Sequence, residues 1–225
     1  MTTQTVFNRA IIIENFHPKI DDILALALSH EEHFRPVRIE IDGIFRKTFV
    51  DTEHYRAVAY SGADLKNLMM PMMTTLISLK EEISKRFKIN KLYFRGPTLF
   101  MTRMGDGDSL AKHSDLCRIS GPNFELIFLL YFHSLPKVFS GGELELFWED
   151  GVEVITPAHN MLVVFPGYLG HAVRVVHSPS NSYKDSRFVV AGRFSAPRTV
   201  LQNSARFIRG LRRVIAYAKN TLSRR

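Results

Sequence analysis

From residue 92 to residue 197 the chain reads as one short apolar run after another, with turn residues between and no helical spacing. The runs fall at 98–104, 124–132, 143–148, 152–155, 161–165, 171–176 and 187–195. Gly105, Gly107, Gly141, Gly142, Gly151 and Pro166-Gly167 mark the corners. Seven or eight strands of this length predict a closed or sandwiched antiparallel β core. The residues before it read differently. Residues 6–13 are β-branched and apolar and predict a strand, and Pro18 suits the first turn of a helix. Ile20, Ile23, Leu24, Ala27 and Leu28 lie on one face of that helix, with Asp21 and Asp22 near its positive end. Residues 37–58 return to short β-like runs around Asp42-Gly43, a hairpin signal. Helical spacing reappears over residues 63–88, where Pro71 is expected to kink the helix or begin a second one. Met69, Met70, Met72 and Met73 beside it read as adaptable core filling. The expectation is one α+β domain: residues 1–91 as an N-terminal strand and supporting helices, 92–197 as the β core, and 198–225 as a basic C-terminal helix.

Composition narrows the function classes. The chain has 225 residues, 45% of them apolar, and no apolar run nears the roughly 20 residues that cross a bilayer. Residues 1–14 lack a signal peptide's basic start and long apolar middle, so a cytoplasmic location is expected. Cys117 is the single cysteine and reads as a buried small side chain, so a transition metal would have to be held by His and carboxylates. The net charge is +8, and residues 198–225 carry eight basic residues and no acid, so the rest of the chain is neutral. Within that tail Ala205, Ile208, Leu211, Val214, Ile215 and Ala218 share a helical face, with arginines on the others.

His113 and Asp115 are separated by one residue, and in an extended segment residues i and i+2 point to the same side. The spacing alone is cheap, since His30 and Glu32 repeat it near a helix end without supporting context. The pair gains weight from His171, which opens a later strand that a barrel can lay beside the first. Two His and one carboxylate can occupy one face of an octahedral iron(II), leaving three positions open. Sixteen residues further on, Arg187 opens another strand, where a guanidinium can clamp a carboxylate with two parallel hydrogen bonds. Arg193 is a rival clamp, six residues along and on the same face. Arg187 is preferred because it is expected to begin the strand near the metal end. His133, His159 and His177 read as surface or loop histidines, and Trp148 as core or lid packing.

Taken together, His113-Ser114-Asp115, the apolar run 124–131 ending at Tyr131, Gly141-Gly142-Glu143, Pro157, the run 162–165, His171-Ala172-Val173 and Arg187 resemble the iron(II)/2-oxoglutarate oxygenases. The prolyl-4-hydroxylase-like branch is the nearest match. The resemblance covers roughly residues 93–195. It implies a double-stranded β-helix of the jelly-roll or cupin kind, and iron(II) held by His113, Asp115 and His171. It also implies 2-oxoglutarate as cosubstrate, its distal carboxylate on Arg187 with a hydrogen bond from Tyr131, and dioxygen as oxidant with succinate and CO2 released. Because Asp115 is a carboxylate, no position is freed for halide, so hydroxylation is expected rather than halogenation. Two departures stand out: Arg103 where many relatives carry tyrosine, and Phe194 where the terminal strand often carries tryptophan. Arg103 is either a solvent-facing strand residue or a contact for an anionic substrate group.

Three functions remain open on the sequence. The first is hydroxylation of a small molecule or of an amino-acid side chain, free, carrier-bound or within a peptide. The second is oxidative demethylation of nucleic acid, which only the basic tail supports, without aromatics interleaved among the bases. The third is a non-catalytic barrel, against which the intact ligand set argues. Specificity is expected to lie in residues 37–60, residues 105–112 and Phe139, and the basic tail is a candidate surface for an acidic partner.

Overall fold

The structure is a computed structural model that describes residues 4–6, 10–37, 39–41, 47–49, 56–87, 93–94, 99–115, 123–149, 151–180 and 182–197. The expected C-terminal basic helix, Cys117 and the Asp42-Gly43 turn lie outside the described residues. The strands that position the site are β1 (Gln4–Val6), β2 (Ile11–Ile13), β3 (Val58–Tyr60), β4 (Phe100–Met104), β5 (Leu110–His113) and β6 (Asn123–Phe132), followed by β7 (Leu144–Trp148), β8 (Gly151–Ile155), β9 (Met161–Pro166), β10 (Gly170–Val173) and β11 (Arg187–Pro197). The helices are α1 (Ile20–Ser29), α2 (Ala63–Ser78) and α3 (Lys80–Arg86).

A large antiparallel sheet runs β1-β2-β9-β6-β11-β4-β3, with Arg35–Pro36 beyond β3, and a four-stranded sheet runs β8-β7-β10-β5. Period-two alternation gives each strand of the large sheet two different faces. On β6, Leu126, Phe128, Leu130 and Phe132 point to one side and join Phe188, Val190 and Phe194 of β11. Helices α1 to α3 close that side with Ile23, Ala27, Leu65, Met69, Met72, Leu76 and Ile83. Residues 65, 69, 72 and 76 recur at helical spacing, so one stripe of α2 is buried. The opposite face, with Ile127, Tyr131, Val163, Phe165, Val189 and Ala191, meets Leu144, Leu146 and Ile155 of the small sheet. These two facing sheets, backed by helices on one side, are the expected α+β architecture with its double-stranded β-helix.

Local details depart from expectation for physical reasons. Residues 6–13 are not one strand but parts of a hairpin, β1 paired with β2 in the register Val6 with Ile11. Pro71 neither ends α2 nor begins the next helix, which starts at Lys80. Pro71 is exposed, so its ring and the carbonyl it leaves without an N–H partner lie toward water. Met69 and Met72 are fully buried, as core filling requires, whereas Met70 is 60% exposed. Leu28, placed on the buried face of α1, lies at its edge and is exposed. No helix among the described residues is long and apolar enough to cross a membrane.

Candidate active site

Strand β10 pairs with β5 so that His171 lies directly opposite His113, and the two imidazole centroids are 4.1 Å apart. Asp115 follows just past the end of β5, where its backbone N–H donates to the Gly167 carbonyl at 3.1 Å. Its carboxylate oxygen Oδ1 then lies 3.6 Å from Nε2 of His113. One ligand atom from each of the three residues falls within 4.8 Å of the others. The i, i+2 reading of His113 and Asp115 is therefore what the backbone delivers, and the strand opened by His171 supplies the third group.

The second ring nitrogens decide what these imidazoles can do. Nδ1 of His113 is 3.0 Å from the Ala111 carbonyl oxygen, and Nδ1 of His171 is 3.1 Å from that of Leu169. A carbonyl only accepts, so each ring donates from Nδ1 and leaves Nε2 as the nitrogen that can face a metal. Burial, helped by the neighbouring His113, lowers the pKa of His171 to about 4, so near neutral pH this ring is uncharged. Two imidazoles and a carboxylate converging from one side fit iron(II) with open coordination positions.

Beside this triad lies a cavity of about 160 Å³ between the two sheets. Phe100, Leu110, Ile127, Leu129, Phe165 and Val189 make it largely apolar. Its polar lining is Thr102, His113, Asp115, His171, Arg187 and Arg193. Arg187 is 3% exposed, with Nη1 3.3 Å from Sδ of Met104 and its guanidinium carbon 4.9 Å from the centre of the Tyr131 ring. The Gly141-Gly142 turn explains its packing. Gly142 has φ +70°, and a Cβ there would come within 2.7 Å of Cδ of Arg187. Tyr131 is 1% exposed, and burial raises the pKa of its hydroxyl. It lies against the guanidinium and is not among the residues lining the cavity.

These features match known proteins. Residues 99–195 match the 2OG-Fe(II) oxygenase superfamily. Over those residues the β core is similar to that superfamily. An uncharacterized PKHD-type hydroxylase of Synechocystis sp. is 31% identical over 104 residues, 42% of this chain and 34% of that protein. The chain thus spans about a third of the length of this curated relative. Among solved structures, a Trichoplax adhaerens prolyl hydroxylase in complex with a hypoxia inducible factor oxygen degradation domain peptide fragment aligns at TM-score 0.63 and 15% identity, covering 84% of each chain. A Pseudomonas putida prolyl-4-hydroxylase aligns at TM-score 0.53 and 16% identity, covering 84% of this chain and 93% of that one. At these identities the likeness concerns the fold, and it is the double-stranded β-helix already described.

Several sequence expectations about this core are revised. Arg187 and Arg193 do share the cavity face of β11, but Arg193 is the one beside the candidate triad, with Nη2 3.2 Å from Oδ2 of Asp115. Strand β11 runs antiparallel to β4 with Arg187 opposite Met104, six residues along β11 from Arg193. Arg103 does not face the cavity. Phe100, Thr102 and Met104 take that face of β4, and Arg103 projects from the other, donating from Nε to Ser186 Oγ at 2.7 Å and lying 5.2 Å from the Tyr183 ring centre. It is therefore not a substrate contact within this cavity. His133 is not a surface residue: it is 4% exposed, its ring edge-on to Phe139 at 5.5 Å. Phe139 itself is buried with Met104, Val173 and Val176, which makes it core rather than a specificity residue. Thr102 escaped the sequence reading. The alternation 100, 102, 104 was the signal that could have found it.

Proposed function

We propose that this chain is an iron(II)- and 2-oxoglutarate-dependent hydroxylase acting on an unactivated carbon of a small molecule or of an amino-acid or peptide side chain, with release of succinate and CO2. The observation that carries the reading is the convergence of His113, Asp115 and His171 beside a cavity that holds a buried arginine. Iron(II), when bound, supplies dioxygen activation coupled to oxidative decarboxylation of the cosubstrate. His113 and His171 hold the metal through Nε2 and Asp115 through a carboxylate oxygen, with both rings oriented by their carbonyl partners. Arg187 binds the far carboxylate of 2-oxoglutarate, with the Tyr131 ring packed against its guanidinium as support, in a buried part of the cavity where a charge-assisted pair is least weakened by water. The apolar lining excludes water from the reacting carbon. Prolyl hydroxylases are among the structural neighbours, and one of them was solved with a peptide fragment, which supports a peptide side chain as one substrate class. A protein in the cytoplasm fits this chemistry.

The test is succinate formation coupled to a one-oxygen mass gain across a panel of amino acids, peptides and small acids. His113→Ala, Asp115→Ala and His171→Ala are each expected to reduce succinate to background, because a facial site lacking one ligand is too weak and wrongly shaped. Normal turnover by folded His171→Ala protein would remove the third ligand from the proposal.

A further inference from the structure

The carboxylate of Asp115 has two oxygens, and they have different neighbours. Oδ1 lies 3.6 Å from Nε2 of His113, the nitrogen left to face a metal. Oδ2 accepts a hydrogen bond from Nη2 of Arg193 at 3.2 Å. The contact is made by the sandwich and not by neighbouring sequence. Arg193 stands on β11 of the large sheet, opposite Ile127 of β6, whereas Asp115 follows β5 of the small sheet and is fixed there by its N–H on the Gly167 carbonyl. Both residues line the cavity between the sheets, so the bond reaches across it.

A carboxylate can hold an ion through one oxygen or chelate it through both, and the choice decides how many positions remain. Two imidazoles and one oxygen leave three positions on an octahedral ion. Chelation through both oxygens leaves two, which a keto acid binding through two of its own oxygens fills alone. Oδ2 can turn to the ion only by giving up a charge-assisted hydrogen bond. A guanidinium has five N–H donors, so holding Oδ2 leaves the others for further partners and does not depend on their absence.

We infer that Arg193 is a positioning residue that acts through Asp115: by holding Oδ2 it presents Oδ1 alone to the metal and keeps a third coordination position open. The inference rests on the oxygenase reading of the site. It gives Arg193 a task separate from binding the far carboxylate of the cosubstrate.

The test loads the full chain with Mn(II) alone, an ion that also takes octahedral sites, and counts the waters on it from the relaxation of water protons. The unaltered chain is expected to hold three. Arg193→Met is expected to hold two, lowering the relaxation per bound ion by about a third. Arg193→Lys, which keeps a charged donor, is expected to hold three. So is Lys112→Gln, which removes a cation next in sequence to His113 whose ammonium lies over the Phe147 ring at 3.9 Å. Retained Mn(II) binding and an unchanged circular dichroism spectrum show that each variant is folded and loaded. Three waters in Arg193→Met would overturn the inference, as would fewer than three in Lys112→Gln or Arg193→Lys. Two waters in the unaltered chain would overturn it without recourse to any variant, because Asp115 would then chelate with Arg193 in place. Loss of Mn(II) from folded Arg193→Met would overturn it too, by making the guanidinium a requirement for the site itself. Failure of the unaltered chain to bind Mn(II) would instead remove the oxygenase reading beneath it.

Discussion

The two faces of the large sheet are made by alternate residues of the same strands, yet they do different work. Toward the helices, β6 and β11 present an unbroken apolar surface in which Phe128 and Phe194 have centroids 5.3 Å apart and Phe132 stacks on Phe188 at 5.5 Å. Toward the small sheet, the same β11 places Arg187 and Arg193 at the ends of the row that holds Val189 and Ala191. The helix-covered face is close-packed and carries stability. The cavity face gives up packing and holds charged groups in a poorly hydrated space, where their interactions are stronger than in water. Because the alternation has period two, a single substitution can act on one face and spare the other.

The sharpest test of that separation is Phe128→Ala. Phe128 is fully buried, and its ring lies across Gly192, where an added Cβ would come within 2.2 Å of it. Truncation opens a cavity that neighbouring rings cannot refill, and about 3–5 kcal/mol of unfolding free energy is expected to be lost. The affinity of the surviving folded protein for 2-oxoglutarate should stay unchanged. Denaturant unfolding and cosubstrate titration on one sample decide this, and a loss of affinity parallel to the loss of stability would show that the two faces are coupled. Arg187→Met is the converse experiment. Removing the buried guanidinium is expected to weaken 2-oxoglutarate by roughly 2 to 5 kcal/mol. Unfolding free energy should fall little, because a buried charge adds little net stability. If Arg193→Met shows the selective loss of 2-oxoglutarate and Arg187→Met does not, the two arginines have exchanged roles.

What the sequence made legible follows the same alternation. His113, Asp115 and His171 could be read because the i, i+2 rule and a strand-opening position do not depend on which strand lies beside which. The shared face of Arg187 and Arg193 could be read for the same reason. Which arginine stands at the metal end could not, because that depends on the pairing of β11 with β4, a contact between residues far apart in the chain. Arg103 was ambiguous for a related reason: the face of β4 that meets the cavity is fixed only when β3 and β11 flank it. Strand β5 was hidden because Leu110-Ala111-Lys112-His113 is half polar, as suits a strand with one side toward solvent. His133 and Phe139 lie near strand ends and in connections, where local pattern does not report burial.

The smallest expected effect concerns buried histidines away from the cavity. His17 is 1% exposed, accepts the Lys19 N–H on Nδ1 at 3.1 Å, and has its Nε2 buried without a hydrogen-bond partner among the described residues. Its backbone N–H donates to Oδ1 of Asn160 at 2.8 Å, and Nδ2 of Asn160 donates back to the His17 carbonyl at 3.0 Å, so the residue is held in place on both sides. Burial lowers the pKa of His17, and that of His133, below the ordinary value of 6.5. Below 6.5 the unfolded chain takes up protons at these two positions while the folded chain does not, so unfolding is favoured progressively as pH falls toward the lower folded values. Above 6.5 both states leave the rings neutral and the contribution is complete. Thermal unfolding measured from pH 7.5 to pH 5 should therefore show a falling midpoint. In His17→Asn, whose amide oxygen can still accept from the Lys19 N–H, the fall should be shallower. The variant should bind 2-oxoglutarate at pH 7.5 as the unaltered chain does, since His17 lies outside the cavity lining. An equally steep fall in His17→Asn would shift the acid sensitivity to the other buried histidines, His133 and His171.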